Sequence, residues 1–381
     1  MNKSVRFVHT ADWQLGLRAG HVPDDAGAAV RNARFDMIGR IAAVAHESEA
    51  HFVVVAGDVF ENHAIHLQTT QRTFEALRAF RCPVYLLPGN HDPFTPDALY
   101  RTDWWKRECP PLVHVLGRRE IELTEHAVLL PCPLTERDMH NPTAWLDAQP
   151  GPTDRVRVGV AHGAIPEELA GRVDADRVIN DIPRNLADRA SLDYLALGDW
   201  HGLRQINART WYSGTPEATT FSERDPGNVL AVSIGGPREI PQVTPVSVAQ
   251  FKWQTIERTL MSGDDVAALE AELEAWTGRS TTLLELVLIG SLNMKLHAKV
   301  TTEWPAHFRG LFLHVRLKTD GLRLQFSDDD YAALPSEGWI GRVVARLRAN
   351  HDTEASAEEC QRALQQLHRI HLESAHKGRQ S

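Results

Sequence analysis

The chain has 381 residues, 43% of them hydrophobic and 24% charged, with a formal net charge of −9. That length predicts two or three folded units, the composition excludes a disordered or fibrous chain, and the acidic balance argues against broad charge-driven binding of nucleic acid without excluding metal-assisted recognition of phosphate. Cys82, Cys109, Cys132 and Cys360 form no CxxC pair and predict reduced thiols; the apolar runs are strand-sized, so no membrane span is predicted, and the start from Met1 to Val8 has no leader-like pattern, which makes the cytoplasm the expected location.

In chain order, a first apolar run from Val5 to Thr10 ends in Asp12-Trp13-Gln14. A helix is predicted over residues 28–47, where Val30, Ala33, Met37, Ile41 and Val44 recur near helical spacing. The run Phe52 to Ala56 ends in Gly57-Asp58, a second helix is predicted over residues 68–80, and Val84 to Leu87 leads into Gly89-Asn90-His91-Asp92. Val156 to Ala161 ends at His162-Gly163, and Tyr194 to Leu197 ends at Gly198-Asp199-Trp200-His201. Strands alternating with helices predict a layered α/β sandwich, its sheets flanked by helices. Ligands in such folds gather at the carboxyl ends of the strands, where these polar residues fall.

From Ser247 the pattern changes to a small α+β module. A strand is predicted over residues 251–260, then a helix capped by Ser262 and Asp265 that turns Val266, Leu269, Leu273 and Trp276 inward. Further strands are predicted over 283–289, 311–317 and 322–326, the last two joined by a hairpin at Asp320-Gly321. After Pro335 come two helices: one groups Trp339, Ile340, Val343, Val344 and Leu347, and the other opens at Ser356 and Glu359. The expected units are 1–246, 247–334 and 335–381.

The chemistry lies in the strand-end segments. A two-metal phosphoesterase centre needs one carboxylate between the ions and oxygen and imidazole ligands from several strand ends. Asp58, delivered by a buried strand through a glycine, suits the bridging position. Asn90 offers an amide oxygen, and His91 a general acid whose ring Asp92 would orient. His162 suits an imidazole ligand, although a single histidine at such a place is more often hydrogen-bonded structure. Asp199 and His201, two apart on an extended segment, point the same way.

Taken together, His9 to Gly16, Gly57-Asp58-Val59-Phe60, Gly89-Asn90-His91-Asp92, His162-Gly163, Leu197 to His201 and Tyr212-Ser213-Gly214-Thr215-Pro216 resemble the calcineurin-like metallophosphoesterases, and within them the SbcD-type DNA repair exonucleases. The resemblance covers roughly residues 5–221. It implies a nuclease of exonuclease or single-strand endonuclease type, with Asp12, Gln14, Asp58 and His201 on one manganese and Asp58, Asn90, His162 and Asp199 on the other, or on magnesium. It also implies His91 at the leaving oxygen, a capping domain, tail helices that dock on an SMC-like coiled-coil ATPase, DNA as substrate in repair or genome defence, and a homodimer. The family usually has histidine where this chain has Gln14 and Asp199, so a harder, oxygen-rich centre is expected. The alternatives are an enzyme of small phosphodiesters or phosphoproteins and a scaffold with impaired turnover.

Overall fold

Alternation of side chains along the strands decides the layers. In the computed structural model, which describes residues 4–149, 151, 154–168, 180–325 and 337–349 with Ala363 and Gln366, the strands of the first unit are β1 (Val5–Thr10), β2 (Phe52–Val55), β3 (Val84–Leu86), β4 (Val113–Val115), β5 (Ile121–Thr124), β6 (Ala127–Cys132), β7 (Val156–His162), β8 (Tyr194–Gly198), β9 (Arg204–Gln205), β10 (Thr210–Tyr212), β11 (Asn228–Ile234) and β12 (Gln242–Ser247). One sheet has the order β12-β11-β1-β2-β3-β4 and the other β5-β6-β7-β8-β10-β9. Neighbours β1, β2, β3 and β4 run parallel, as do β6, β7, β8 and β10.

Val5, Phe7, Phe52 and Val54 meet Leu129, Val158, Val160 and Tyr194 in a core between the two sheets. The intervening residues Val8, Val53 and Val55 pack outward against Met37, Ile38 and Ile41 of α1 (Asp24–Glu47), Phe74 and Leu77 of α2 (Leu67–Leu77) and Trp105 of α3 (Asp103–Glu108). Leu195 and Leu197 pack on the far face of the second sheet against Leu146, Ile182 and Leu186. Strands buried on both faces read as unbroken apolar runs, and each such side chain removed from water stabilises the fold by about 2 kcal/mol. The architecture is a mixed α/β fold of parallel-rich sheets flanked by helices. Trp104 stacks on Phe74 with ring centroids 5.3 Å apart, and Trp105 is buried, so both pack structurally.

The chain divides into two compact units, 1–252 and 253–381. In the second, β13 (Lys252–Leu260), β14 (Thr282–Leu292) and β15 (His314–Leu324) form one sheet. The helix Gly263–Glu274 is capped by Ser262, whose hydroxyl accepts from Asp265 N, and it buries Val266, Leu269 and Leu273. The hairpin expected at Asp320-Gly321 is absent: these residues lie inside β15, which runs parallel to β14 with a register shift between Val287 and Ile289. A Cβ on Gly321 would press on Ile289 at 2.6 Å, so the glycine serves close strand approach at a bulge and not a reversal. The tail helix Gly338–Ala349 leaves Trp339 65% exposed. The helix expected from Ser356 lies outside the described residues. No helix among the described residues is long and apolar enough to cross a membrane.

Candidate metal centre

Each candidate ligand emerges where a strand ends in a sharp turn. Asp12, Gln14, Asp58 and Asp199 all have positive φ, at 54°, 44°, 52° and 93°. Side-chain-bearing residues avoid that region at a cost of about 1 kcal/mol or more, which the surrounding structure must hold in place. Backbone bonds do so: Asp12 N donates to Gly57 O at 3.1 Å and Gln14 N to Asp58 O at 2.8 Å, tying the ends of β1 and β2 together. Gly57 (φ 95°) and Gly89 allow the final approach, since a Cβ on the first would enter the His162 ring and on the second would strike the Asp58 carboxylate.

The turns converge. His162 donates Nδ1–H to Ala56 O at 2.8 Å, which leaves its Nε2 to face the other strand ends. There Nε2 lies 3.1 Å from Asn90 Oδ1, 3.4 Å from Asp58 Oδ1 and 3.8 Å from Asp199 Oδ1. Asp12 accepts from Asp199 N through both oxygens, at 3.1 and 3.2 Å. One ligand atom each of Asp12, Asp58 and His162 falls within 4.8 Å of the others, and all three residues are buried. His201 donates Nδ1–H to Glu223 Oε1 at 2.8 Å and turns Nε2 toward Gln14 Nε2 at 3.3 Å.

The electrostatics call for a cation. Burial pushes Asp12 up to about 6, against the pull of His162 and His201 and with the like charges of Asp58 and Asp199. Burial likewise raises Asp199. Burial pulls His162 down, but Asp58 beside it, with Asp12 and Asp199, lifts it well above the ordinary imidazole range, and Asp58 falls correspondingly. Burial also opposes the charge on His201, yet the Glu223 contact carries it to about 9. With Nδ1–H already committed, the lone pairs of His162, Asn90, Asp58 and Asp199 face one another, and a proton on Nε2 or a divalent ion relieves that repulsion. Carboxylates, an amide oxygen and an imidazole suit hard and borderline divalent metals, so the donor set fits such an ion.

Every predicted site residue reaches this region, but two connections differ from expectation. The His91 ring is oriented by Glu61, whose carbonyl accepts from Nδ1–H at 2.9 Å, and His91 N donates to Asp58 Oδ1 at 3.0 Å. Asp92 does not orient that ring: fully buried, it accepts from Gly89 N at 2.8 Å, from Phe60 N at 3.0 Å and from the Tyr100 hydroxyl, and so pins the turn that carries Asn90 and His91. Glu223, Tyr100 and Arg34 were not found from the sequence. Arg34, 1% exposed, donates to the Trp13 carbonyl, to Asp12 O at 3.4 Å and to Glu217 O at 2.9 Å, while the Thr215 hydroxyl lies 2.9 Å from Asp12 O. Its signal was available, as an arginine set between Val30 and Met37 in the apolar stripe of α1.

The sequence model of the calcineurin-like phosphoesterases matches residues 5–232. Among curated proteins, the DNA double-strand break repair protein Mre11 of Methanosarcina acetivorans is 23% identical over 247 residues, a match covering 62% of this chain and 38% of that protein. The Mre11 protein of Archaeoglobus fulgidus is 33% identical over 118 residues, covering 30% of this chain and 25% of that protein. The chain thus spans less than half the length of these curated relatives. Among solved structures, purple acid phosphatase PPD1 from yellow lupin aligns with a TM-score of 0.39 and 12% identity, covering 65% of this chain and 52% of that one.

Proposed function

This chain belongs to the calcineurin-like phosphoesterase family, and from that premise we propose that it is a two-metal nuclease hydrolysing phosphodiester bonds in DNA. Family membership itself implies hydrolysis of phosphate esters at a divalent-metal centre. The observation that carries the proposal is the convergence on His162 Nε2 of oxygens from Asn90, Asp58 and Asp199, three different strand ends. DNA as substrate is supported by the likeness to Mre11 repair proteins. The same reading includes an exonuclease or single-strand endonuclease role in repair or genome defence, manganese as the preferred ion, an SMC-like ATPase partner at the tail after residue 335, a capping role for residues 247–334, and a homodimer through helices of the first 110 residues.

Divalent ions held in the centre would act as Lewis acids on the scissile phosphate and lower the pKa of an attacking water. Asp12, Asp58 and Asp199 would supply the negative charge to hold them, with the Asn90–His162 pair on one side and the Gln14–His201 pair on the other. Asn90, His162 and Gln14 add neutral donors, and Glu223 fixes the orientation of His201. His91 is 28% exposed, with Nδ1–H held by Glu61 and Nε2 3.9 Å from Asp58 Oδ2. Nε2 would thus stand beside the centre, placed to pass a proton to the departing oxygen. Surface Arg and Lys would position the DNA backbone without reading bases.

End-labelled duplex and single-stranded DNA, incubated with manganese beside bis(p-nitrophenyl) phosphate, tests this with the native chain and the Asp58→Ala and His91→Ala variants. Expected is DNA degradation that both variants lose. Nitrophenol release with intact DNA would move the assignment to small phosphodiesters. Silence on both substrates would leave a scaffold, a reading favoured by one contact, the Gln14 amide resting on His201 Nε2.

A further inference from the structure

Away from the metal centre, the outer edges of the two sheets frame a cavity of about 580 Å³, lined by residues of β3, β4, α3 and the start of β5. Its walls are aromatic: Tyr85, Phe94, Tyr100 and Trp105 line it, the ring of His114 lies 5.4 Å from that of Tyr85, and Tyr100 meets Trp105 edge-on at 4.8 Å. The charged residues of the lining are Lys106 and Arg119, with no Asp or Glu among them, in a chain whose net charge is −9. Arg119 makes no ion pair among the described residues, and the Lys106 contact with Asp103, at 3.4 Å between well-exposed groups, binds weakly.

Tyr85 is 8% exposed and Trp105 3% exposed. A volume in the range of small-molecule sites, aromatic side chains in the lining and two exposed cations suit a ligand that is planar and anionic. Tyr100 joins the cavity to the centre, because its hydroxyl bonds Asp92, which pins the turn of Asn90 and His91.

We propose that this cavity binds a nucleoside 5′-phosphate, either free or at the end of a single strand, with the base against the aromatic walls and the phosphate on Lys106 and Arg119. The choice of a nucleotide over other aromatic anions rests on the phosphodiesterase reading; the existence of the site does not. Titration of the EDTA-treated full chain with deoxyadenosine 5′-phosphate, and in parallel with a 5′-phosphorylated tetrathymidylate, is followed by Trp fluorescence and calorimetry. Expected is saturable binding of at least one probe, at least tenfold weaker in the Lys106→Ala/Arg119→Ala double variant, and unchanged in Asp58→Ala. Binding of the mononucleotide assigns a free ligand, and binding of the oligonucleotide alone assigns a chain end. Absence of binding by both probes, binding that survives the double substitution, or binding lost in Asp58→Ala would overturn the proposal. Thermal melting of the double variant, expected within a few degrees of the native chain because both residues are exposed, separates lost binding from lost folding. Failure of DNA hydrolysis with binding intact would sink the nuclease reading and leave this site standing.

Discussion

The two imidazoles of the centre are held in different ways. His162 is fully buried and fixed through a backbone carbonyl, Ala56 O, and its free nitrogen meets three oxygens. His201 is 28% exposed and fixed through a carboxylate, Glu223, and its free nitrogen meets the amide of Gln14. The first side therefore gathers three oxygens around one imidazole nitrogen, where a proton or a divalent ion relieves their repulsion. The second has a neutral amide where its strongest extra ligand would stand. The difference teaches that one centre can contain a rigid half, held by the backbone, and an adjustable half, held by another side chain.

The comparison breaks most completely at Asp58, the residue that the proposal assigns to both sides. Asp58→Ala should abolish manganese binding by calorimetry and lower phosphodiester hydrolysis by about a thousandfold or more; retention of either would show that the halves do not share it. Glu223→Gln attacks the adjustable half alone. It should weaken metal affinity by roughly 10–100-fold, the usual effect of losing a carboxylate behind a ligating histidine, while metal content measured by mass spectrometry stays at one ion per chain or more. A fall to zero would place the rigid half under the control of Glu223.

Protons compete with metal on both sides, and their signs can be worked out. His201, raised to about 9, contributes stability to the metal-free fold that is complete below the ordinary imidazole value and is lost as pH rises through about 9. Asp12, raised by burial to about 6, contributes in the same sense, complete below its ordinary value of 3.8 and lost as pH rises through about 6. The metal-free chain should therefore melt at lower temperature as pH rises from about 4 toward 9, through these groups. Manganese affinity should rise over the same window, by up to about tenfold per pH unit for each proton displaced. Calorimetry at constant ionic strength checks this, and a flat profile would show that neither group is displaced. The smallest effect is expected from Gln14→His, which restores an imidazole to the adjustable half: affinity for the weaker ion should tighten by several-fold to about tenfold, read as metal stoichiometry at limiting manganese.

Much of this was legible because the signals were local. Val5 to Thr10 is a strand as expected, and the helix over 28–47 exists with its N-terminus at Asp24. The strand-end ligands meet because parallel strands bring their carboxyl ends to one side. The Asp320-Gly321 hairpin failed for a matching reason: a favourable turn dipeptide was overruled by nine residue pairings between β14 and β15, since a turn costs little to forgo when a sheet supplies the bonds. The role given to Asp92 failed because sequence adjacency to His91 says nothing about which way a side chain leaves a tight turn.

Composition, strand periodicity and glycine-flanked polar residues by themselves determined the layered α/β class, the strand ends that carry the chemistry and the family resemblance. Only the tertiary structure decided which atom faces which: that Glu61 and Glu223 orient the two histidines with free nitrogens at the rim, that Asp92 belongs to Tyr100, and that Arg34 reaches across from α1 to hold the Asp12 turn. The physical reason is range. Backbone periodicity is set by neighbours a few residues away, whereas a buried polar side chain must find whatever partner the folded chain brings within about 3 Å, and for His201 and Arg34 some of those partners lie 22 and 183 residues distant.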